Sequence, residues 1–360
     1  MFEGFQGNQA AQLTLERMLE SHRIPQTLLI SGPEGVGKAT LARRFAQRLL
    51  DHPERIEADD LSLESNRNLI AEREKWPSEK RSEDPLLFST HPDFTTFCPE
   101  GPLRQISIQQ MRLLRERAQR LPLKGRWKVF LIDQLDRTSQ QSADSLLKTL
   151  EEPPPHLILF STAENAYDLP PTVRSRSVQI SLSPLPDAAV RAFLESRHAP
   201  DIGKRVGYAA GSPGLALSLD ITVYEKRRAA MLAFLESAAG VAQFAQWVRA
   251  SETLLASKSE KLDLYFRPLY GLLQDVLALQ SGSEAIRNRD LMDRLSTIAA
   301  HTSFDWIREA IELTDELVSL QRRNVQKGPS LDSALLKLRA GLAPRRGGSD
   351  REPRATSRPA

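Results

Sequence analysis

A glycine-rich segment, GPEGVGKAT, has the spacing of a phosphate-binding loop, G-x-x-x-x-G-K-[ST]. Its glycines let backbone N–H groups approach phosphate oxygens, and its lysine reaches the outer phosphates. Ala39 stands where the pattern has the hydroxyl that holds Mg²⁺. Thr40 carries a hydroxyl, but a side chain one residue further along a helix points about 100° away, so it is a poor substitute for a hydroxyl at position 39. The candidate nucleotide-binding residues of this segment are Gly32, Gly35, Gly37, Lys38 and Thr40.

A second candidate position follows the apolar run Val129–Ile132. In a P-loop ATPase, an aspartate at the end of a neighbouring strand holds magnesium through water, and a following glutamate positions the attacking water. Asp133 is present, but Gln134 replaces the glutamate. An amide cannot accept a proton as a general base, a role that contributes about 10²–10⁴ in rate. We therefore expect lost hydrolysis; the alternative for Asp133 is that it caps the next helix.

The elements around these positions predict an α/β fold. Apolar runs rich in β-branched residues alternate with stretches of helical periodicity, and continuous apolar runs are typical of parallel strands covered on both faces. This order predicts a doubly wound parallel sheet up to about residue 182. The predicted strands are Thr27–Ser31, Val129–Asp133, Leu157–Ser161, Val178–Leu182 and, more weakly, Phe94–Phe97.

Beyond the last strand the chain is helical in pattern. We expect residues 1–182 to form the P-loop domain, with a charged insertion of exposed helix and loop at 51–84. The remaining predicted divisions are a small helical lid at 183–223, a helical domain at 224–342 and a disordered basic tail at 343–360.

Composition predicts a cytoplasmic protein. The sequence contains no run of about 18 apolar residues, so we expect no membrane span. We also expect no secretory leader from its first residues. The single cysteine, Cys98, excludes an intramolecular disulfide and a cysteine-only zinc cage. The tail holds five arginines and two acids, which accounts for the whole net charge of +3. Any DNA-facing surface must therefore come from local clustering of charge.

A longer motif, SADSLLKTLEEPP at residues 142–154, resembles the A-x-N-A-L-L-K-x-L-E-E-P-P helix of bacterial clamp-loader AAA+ subunits of DNA polymerase III. The resemblance covers nearly the whole chain except the insertion and the tail, and it is closest to the delta-prime type. It implies an AAA+ P-loop domain, a helical lid and an all-α collar domain. Further matching segments are His91–Asp93, Leu169–Arg176, Gly211–Gly214, Asn324-Val325 and Leu331–Leu336.

The departures from the family pattern imply an ATPase site that has lost its catalytic activity. Ala39 and Gln134 replace chemical residues, and Gly214 stands at the lid position of an arginine that senses the γ-phosphate. ATP or ADP is the implied ligand, bound weakly or without hydrolysis, and bound Mg²⁺ is not favoured. The family's four-cysteine zinc module is absent, so no zinc is expected. Thr162 matches a polar sensor position.

Arg176 matches the arginine of the family's Ser-Arg-Cys motif, which projects across a subunit boundary toward a neighbour's ATP. A guanidinium suits this role because it is always charged and forks to phosphate oxygens. The resemblance therefore implies a catalytic arginine finger in trans. The competing interpretation is a surface arginine at a strand edge, and Arg174 is the neighbouring candidate.

The region 107–128 carries seven basic residues and one acid, Glu116. In the family, helices of this part face the duplex inside the ring. Arg112 and Arg115 are the candidate DNA-binding residues, through sequence-independent phosphate contacts. A solvated helix face is the competing interpretation.

The resemblance implies a stationary subunit of a five-subunit loader that contains delta and gamma/tau subunits. Such a loader places the sliding clamp on primer–template DNA, and this subunit's relation to the clamp is indirect. An active gamma/tau-type motor ATPase and a pure structural scaffold are the alternatives, with a nucleic-acid-binding module as a weaker one.

Overall fold

The computed structural model describes Phe2 and residues 4–256, 262–321 and 327–342. The chain divides into two compact units, Met1–Leu219 and Asp220–Ala360. The predicted tail and the Asn324-Val325 motif lie outside the described residues. None of the described helices is long and apolar enough to cross a bilayer.

A six-stranded sheet forms the centre of the first unit, in the order β2-β3-β4-β5-β1-β6. All neighbouring strands are parallel except β2, which is antiparallel to β3. The predicted parallel α/β sheet is therefore confirmed, and the predicted strand ends differ from the observed ones by no more than two residues. The strands are β1 Thr27–Ser31, β2 Leu87–Phe88, β3 Phe94–Phe97, β4 Lys128–Ile132, β5 Leu157–Ala163 and β6 Val178–Ser181.

Helices cover both faces of this sheet. Along β1, Leu28 and Ile30 enter one apolar core and Leu29 enters the other. This two-sided burial explains why the strands have continuous apolar sequences. The helices of the unit are α1 Gln9–Glu20, α2 Lys38–Gln47, α3 Pro53–Glu57, α4 Glu64–Glu74, α5 Ser78–Glu83, α6 Ile108–Ala118, α7 Gln140–Glu151, α8 Pro171–Arg174, α9 Asp187–Ser196, α10 Ile202–Ala209 and α11 Pro213–Ser218.

The second unit is helical throughout its described residues, apart from turns. Two tryptophans fix its core: the Trp247 indole donates to Asp332 over 2.7 Å, and the Trp306 indole donates to the Leu338 carbonyl over 3.0 Å. Both rings are almost fully buried, so these bonds satisfy their only polar atoms. The helices are α12 Ile221–Ala238, α13 Phe244–Ala256, α14 Asp263–Gln280, α15 Met292–His301, α16 Phe304–Gln321 and α17 Lys327–Gly341.

The charged insertion at 51–84 is anchored to the sheet domain. Most of its side chains are exposed, but Ile56 is completely buried. The Asp59 carboxylate accepts the Thr90 backbone N–H over 3.1 Å. Arg43 of α2, only 2% exposed, pairs with Asp60 over 2.5 Å. Ion pairs and a buried apolar residue therefore hold this segment against the P-loop helix.

We predict that Arg43→Met loosens the insertion. The change leaves Asp60 and Glu57, which lies 3.6 Å from the guanidinium, without their buried cation. A fully buried pair costs about 3–5 kcal/mol to break, and the partial exposure of both carboxylates reduces our expectation to about 1–3 kcal/mol. Urea unfolding and protease cleavage within residues 51–84 measure the effect.

Arg44→Met is the matched control, because Arg44 also pairs with Glu57, over 3.2 Å, but is 32% exposed. Equal stability losses in the two variants would contradict an anchor based on burial.

Candidate functional site

The P-loop lies between β1 and α2, at the carboxyl end of the parallel strands. Three of its glycines have positive φ angles: Gly32 at 148°, Gly35 at 74° and Gly37 at 105°. Side chains are strained in this region of backbone space, so the glycines permit the turn. Ala39 and Thr40 follow in the first turn of α2, and Ala39 packs against the apolar core.

The P-loop lysine is turned toward its own loop. The Lys38 ammonium donates to the Gly32 carbonyl over 2.6 Å and to the Pro33 carbonyl over 2.8 Å. The side chain is 9% exposed. Two of the three N–H donors of this group are thus used by the loop backbone.

The lid helix α11 and the N-terminal segment cover the P-loop. The Gly214 N–H donates to the Gly35 carbonyl over 2.9 Å. A Cβ atom at Gly35 would lie 2.6 Å from the Leu215 nitrogen, and one at Gly37 would lie 2.8 Å from the Phe5 ring. The Leu215 backbone and the Phe5 ring are therefore packed against the loop at which phosphate would bind.

Carboxylates surround the buried lysine. Burial lowers the pKa of Lys38, while Glu164, Asp133, Asp136 and Glu34 act electrostatically in the opposite direction. Burial also raises the pKa of Asp136 and of Glu164. These carboxylates attract the positive charge of the ammonium and would repel the negative charge of a polyphosphate.

The second group of candidate site residues, at the ends of β4 and β5, is linked by hydrogen bonds. The Thr162 hydroxyl donates to Asp133 over 2.6 Å and accepts the Gln134 N–H over 2.8 Å. The pairing of β4 with β5 brings these positions together. Asp133 and Thr162 therefore lie at the ends of paired strands and are joined directly by a hydrogen bond.

The arrangement does not fit a magnesium-bound nucleotide. Lys38 is engaged by the loop, Gly35 is in contact with the lid, and Ala39 supplies no hydroxyl. Phosphate binding would require the lid to separate from the loop and the lysine to turn outward.

Arg176 lies at the amino end of the parallel strands, whereas the P-loop lies at their carboxyl end. It precedes β6, whose Val178 pairs with Leu28 and whose Ser181 pairs with Ser31. Because these strands are parallel, the start of β6 and the P-loop after Ser31 are separated by at least about 10 Å of strand. The Arg176 guanidinium cannot reach the P-loop of its own chain.

The two neighbouring arginines have different surroundings. The Arg174 guanidinium lies over the Tyr167 ring, 4.8 Å from its centroid, and its Nε atom is buried. Arg176 is 36% exposed and pairs with Glu151 over 3.0 Å. Arg176 is therefore the more accessible cation of the pair.

The candidate DNA-binding residues share the exposed face of α6. Arg112 and Arg115 are both exposed, and neither forms an ion pair within the part of the chain that the structure describes. Other basic residues of the region are engaged. The Lys128 ammonium donates to the Arg120 carbonyl over 2.8 Å, and Arg120 pairs with Glu116 over 2.5 Å.

Sequence reasoning missed three residues that shape these surfaces. Phe5 and Glu164 contact or influence the P-loop from distant parts of the chain. Glu151 belongs to the LEEPP motif, but its contact with Arg176 was not expected. No local pattern marks Phe5 or Glu164, whereas the place of Glu151 in a long motif was a usable signal.

A parallel sheet with a P-loop after its first strand, and a helical lid packed on that loop, defines a P-loop protein of the AAA+ class. A family model described as DNA polymerase III, delta subunit matches residues 7–186, half of the chain. The chain belongs to this family of clamp-loader subunits.

Curated relatives include several subunits of the same polymerase. The delta′ subunit of Pseudomonas aeruginosa is 31% identical over 192 residues, 51% of this chain and 52% of that protein. The tau subunit of Escherichia coli is 29% identical over 189 residues, 52% of this chain and 26% of that protein. The matches thus span about a quarter to a half of these relatives' lengths.

Among solved structures, a DNA polymerase III gamma subunit-related protein from Thermotoga maritima aligns with a TM-score of 0.44 and 18% identity, over 92% of this chain and 99% of that one. A RuvB Holliday junction branch migration motor from the same organism aligns with a TM-score of 0.38 and 15% identity, over 82% of this chain and 87% of that one.

We predict that Lys38→Met destabilises the first unit by about 1–3 kcal/mol, because it removes two hydrogen bonds and leaves the Gly32 and Pro33 carbonyls without their donor. Between the lowered folded pKa and the ordinary value of 10.5, the unfolded chain binds more protons at Lys38. The wild-type advantage therefore grows as pH rises through that interval. Urea unfolding at several alkaline pH values measures both effects.

Lys337→Met, at an exposed position of α17, is the control and should leave stability unchanged. A Lys38→Met variant as stable as wild type would show that the lysine is not part of the structural framework of the loop.

Proposed function

We propose that the chain is a delta-prime-type subunit of the DNA polymerase III clamp loader. It hydrolyses no ATP itself and supplies Arg176 to the ATP site of an adjacent motor subunit. The observation that carries this proposal is the pair of residues at the chemical positions of the site, where Ala39 and Gln134 stand in place of the magnesium-binding hydroxyl and the catalytic glutamate.

The rival proposal is an active motor subunit. The curated relatives include gamma, tau and delta′ subunits at similar identities, so the choice rests on the residues of the site. Ala39 and Gln134 remove the magnesium ligand and the catalytic base, and the lid contact at Gly214 covers the loop. These features support a subunit that binds ATP or ADP weakly, without hydrolysis and without a firmly held Mg²⁺.

Arg176 fits action in trans for a geometric reason. It lies at the amino end of β6, away from its own P-loop, on an exposed part of the first unit. A guanidinium placed there by subunit packing would stabilise the charge that develops on a neighbour's γ-phosphate. Arg174 is less suited, because it is more buried than Arg176 and its Nε atom is inaccessible to solvent.

The proposed partners follow from the family. The second unit, from Asp220 onward, would join the collar of a hetero-pentamer with delta and gamma/tau subunits. The motors of that assembly would load the sliding clamp onto primer–template DNA in the cytoplasm, and this subunit would contact the clamp only indirectly. A pure scaffold, which supplies neither nucleotide binding nor a finger, is the remaining alternative.

We predict that Arg176→Ala slows ATP turnover in a loader reconstituted with its partner subunits, by about 10³-fold or more at the site that the arginine faces. The measurement is single-turnover ATP hydrolysis with clamp and primed DNA present. Loader assembly should be unchanged, because Arg176 is 36% exposed and its ion pair contributes little to stability.

Arg174→Ala is the matched control and should retain most of the turnover. Normal turnover in Arg176→Ala would favour the scaffold. Rapid ATP hydrolysis by the isolated wild-type chain would instead favour the motor.

Arg112 and Arg115 support a proposed contact with the DNA backbone. They lie three residues apart on one face of α6, so both guanidinium groups point to the same side. Phosphate contacts of this kind carry no sequence preference and weaken as salt rises.

We predict that the double change Arg112→Ala and Arg115→Ala weakens binding of the loader to primer–template DNA. The slope of log K against log salt concentration should fall by about 1 for each phosphate that is no longer neutralised. Fluorescence anisotropy at several salt concentrations measures it. Arg120→Ala is the control, because Arg120 already pairs with Glu116; equal slopes in wild type and the double variant would mean that α6 presents only a solvated face.

A further inference from the structure

The Arg176 guanidinium is held from two sides by groups of its own chain. Its Nη2 atom lies 3.0 Å from Glu151 Oε1, and its Nη1 atom donates to the Thr172 carbonyl over 3.0 Å. Glu151 is the last residue of α7, and Thr172 belongs to α8. Two different helices therefore set the orientation of one exposed cation.

These contacts leave the guanidinium available to a further anion. They use two of its five N–H donors, and the planar group can direct others to phosphate oxygens. The arginine is 36% exposed and the glutamate 48% exposed. An ion pair this open to water contributes little to the stability of the fold.

The position of Glu151 is not explained by helix stability. A carboxylate in the last turn of a helix faces the negative end of the helix dipole, which disfavours it. A second acid, Glu152, follows directly at the C-cap. The Arg176 contact gives Glu151 a cation as partner at this unfavourable position.

We propose that Glu151 is a positioning residue for Arg176. It holds the guanidinium at a fixed angle beside the start of β6, so that the arginine meets a neighbour's γ-phosphate without first having to be ordered. The inference rests on the proposed function of Arg176 as a finger. At a subunit boundary that excludes water, the pair and its orientation become stronger than in the exposed chain.

The experiment compares variants of the full chain in the reconstituted loader, by single-turnover ATP hydrolysis at saturating ATP with clamp and primed DNA. Glu151→Ala should slow the step about tenfold, because a misplacement of about 1 Å can cost up to about 10²-fold in rate. Glu151→Gln should be slowed less, because its amide oxygen still accepts a hydrogen bond. The ATP concentration for half-maximal rate should stay unchanged, since orientation acts on the transition state.

Glu152→Ala is the matched control, one residue further along the same helix end, and should behave as wild type. In an Arg176→Ala background, Glu151→Ala should cause no further loss, because both changes remove one interaction. An equal additional loss in that background would indicate a purely structural role for Glu151 and overturn the proposal.

The outcomes separate the two proposals. Wild-type turnover in Glu151→Ala, together with slow turnover in Arg176→Ala, would refute positioning and leave the finger intact. Faster turnover in Glu151→Ala would also refute it, since the acid would then restrain the arginine. Normal turnover in Arg176→Ala would refute the finger itself, and the role of Glu151 with it.

Discussion

The structure of the first unit depends on how one buried ammonium is satisfied. Lys38 loses its hydration inside the P-loop and recovers hydrogen bonds from the Gly32 and Pro33 carbonyls. A buried cation without such partners would be costly, so the loop must fold around it. Nearby carboxylates add electrostatic stabilisation of the ammonium to these backbone hydrogen bonds.

The glycine at position 214 has a structural consequence for the P-loop. Gly214 looks like the loss of a lid arginine, yet its missing side chain lets the lid backbone meet the loop. A Cβ atom at Gly214 would lie 2.9 Å from the Gly35 carbonyl oxygen, a distance that side-chain-bearing residues do not tolerate. The absence of a side chain at Gly214, where the family resemblance implies a phosphate-sensing arginine in motor subunits, therefore permits the contact that covers the P-loop.

The sheet and its chemical positions were predictable because they depend on local pattern and strand order. Continuous apolar runs indicated β1, β4 and β5, and the pairing of β4 with β5 brings Asp133 to Thr162. The orientation of Lys38 was not predictable, because it depends on the backbone path of the loop, whose carbonyls bind the ammonium, and on acids that are distant in the sequence. The roles of the basic residues at 107–128 were only partly predictable. Lys128 is buried and donates to the carbonyls of Arg117, in the last turn of α6, and of Arg120, just after it.

The contact between lid and loop bears on how the proposed subunit would work. A nucleotide moves a lid only as far as it binds one lid position better than another. Here the lid is already joined to the loop by the hydrogen bond from Gly214 to Gly35, and Leu215 packs against the same glycine. A nucleotide would have to break these contacts before it gained any of its own. The proposed role as a fixed partner, which holds out Arg176 while neighbouring subunits cycle, is the one that this arrangement favours.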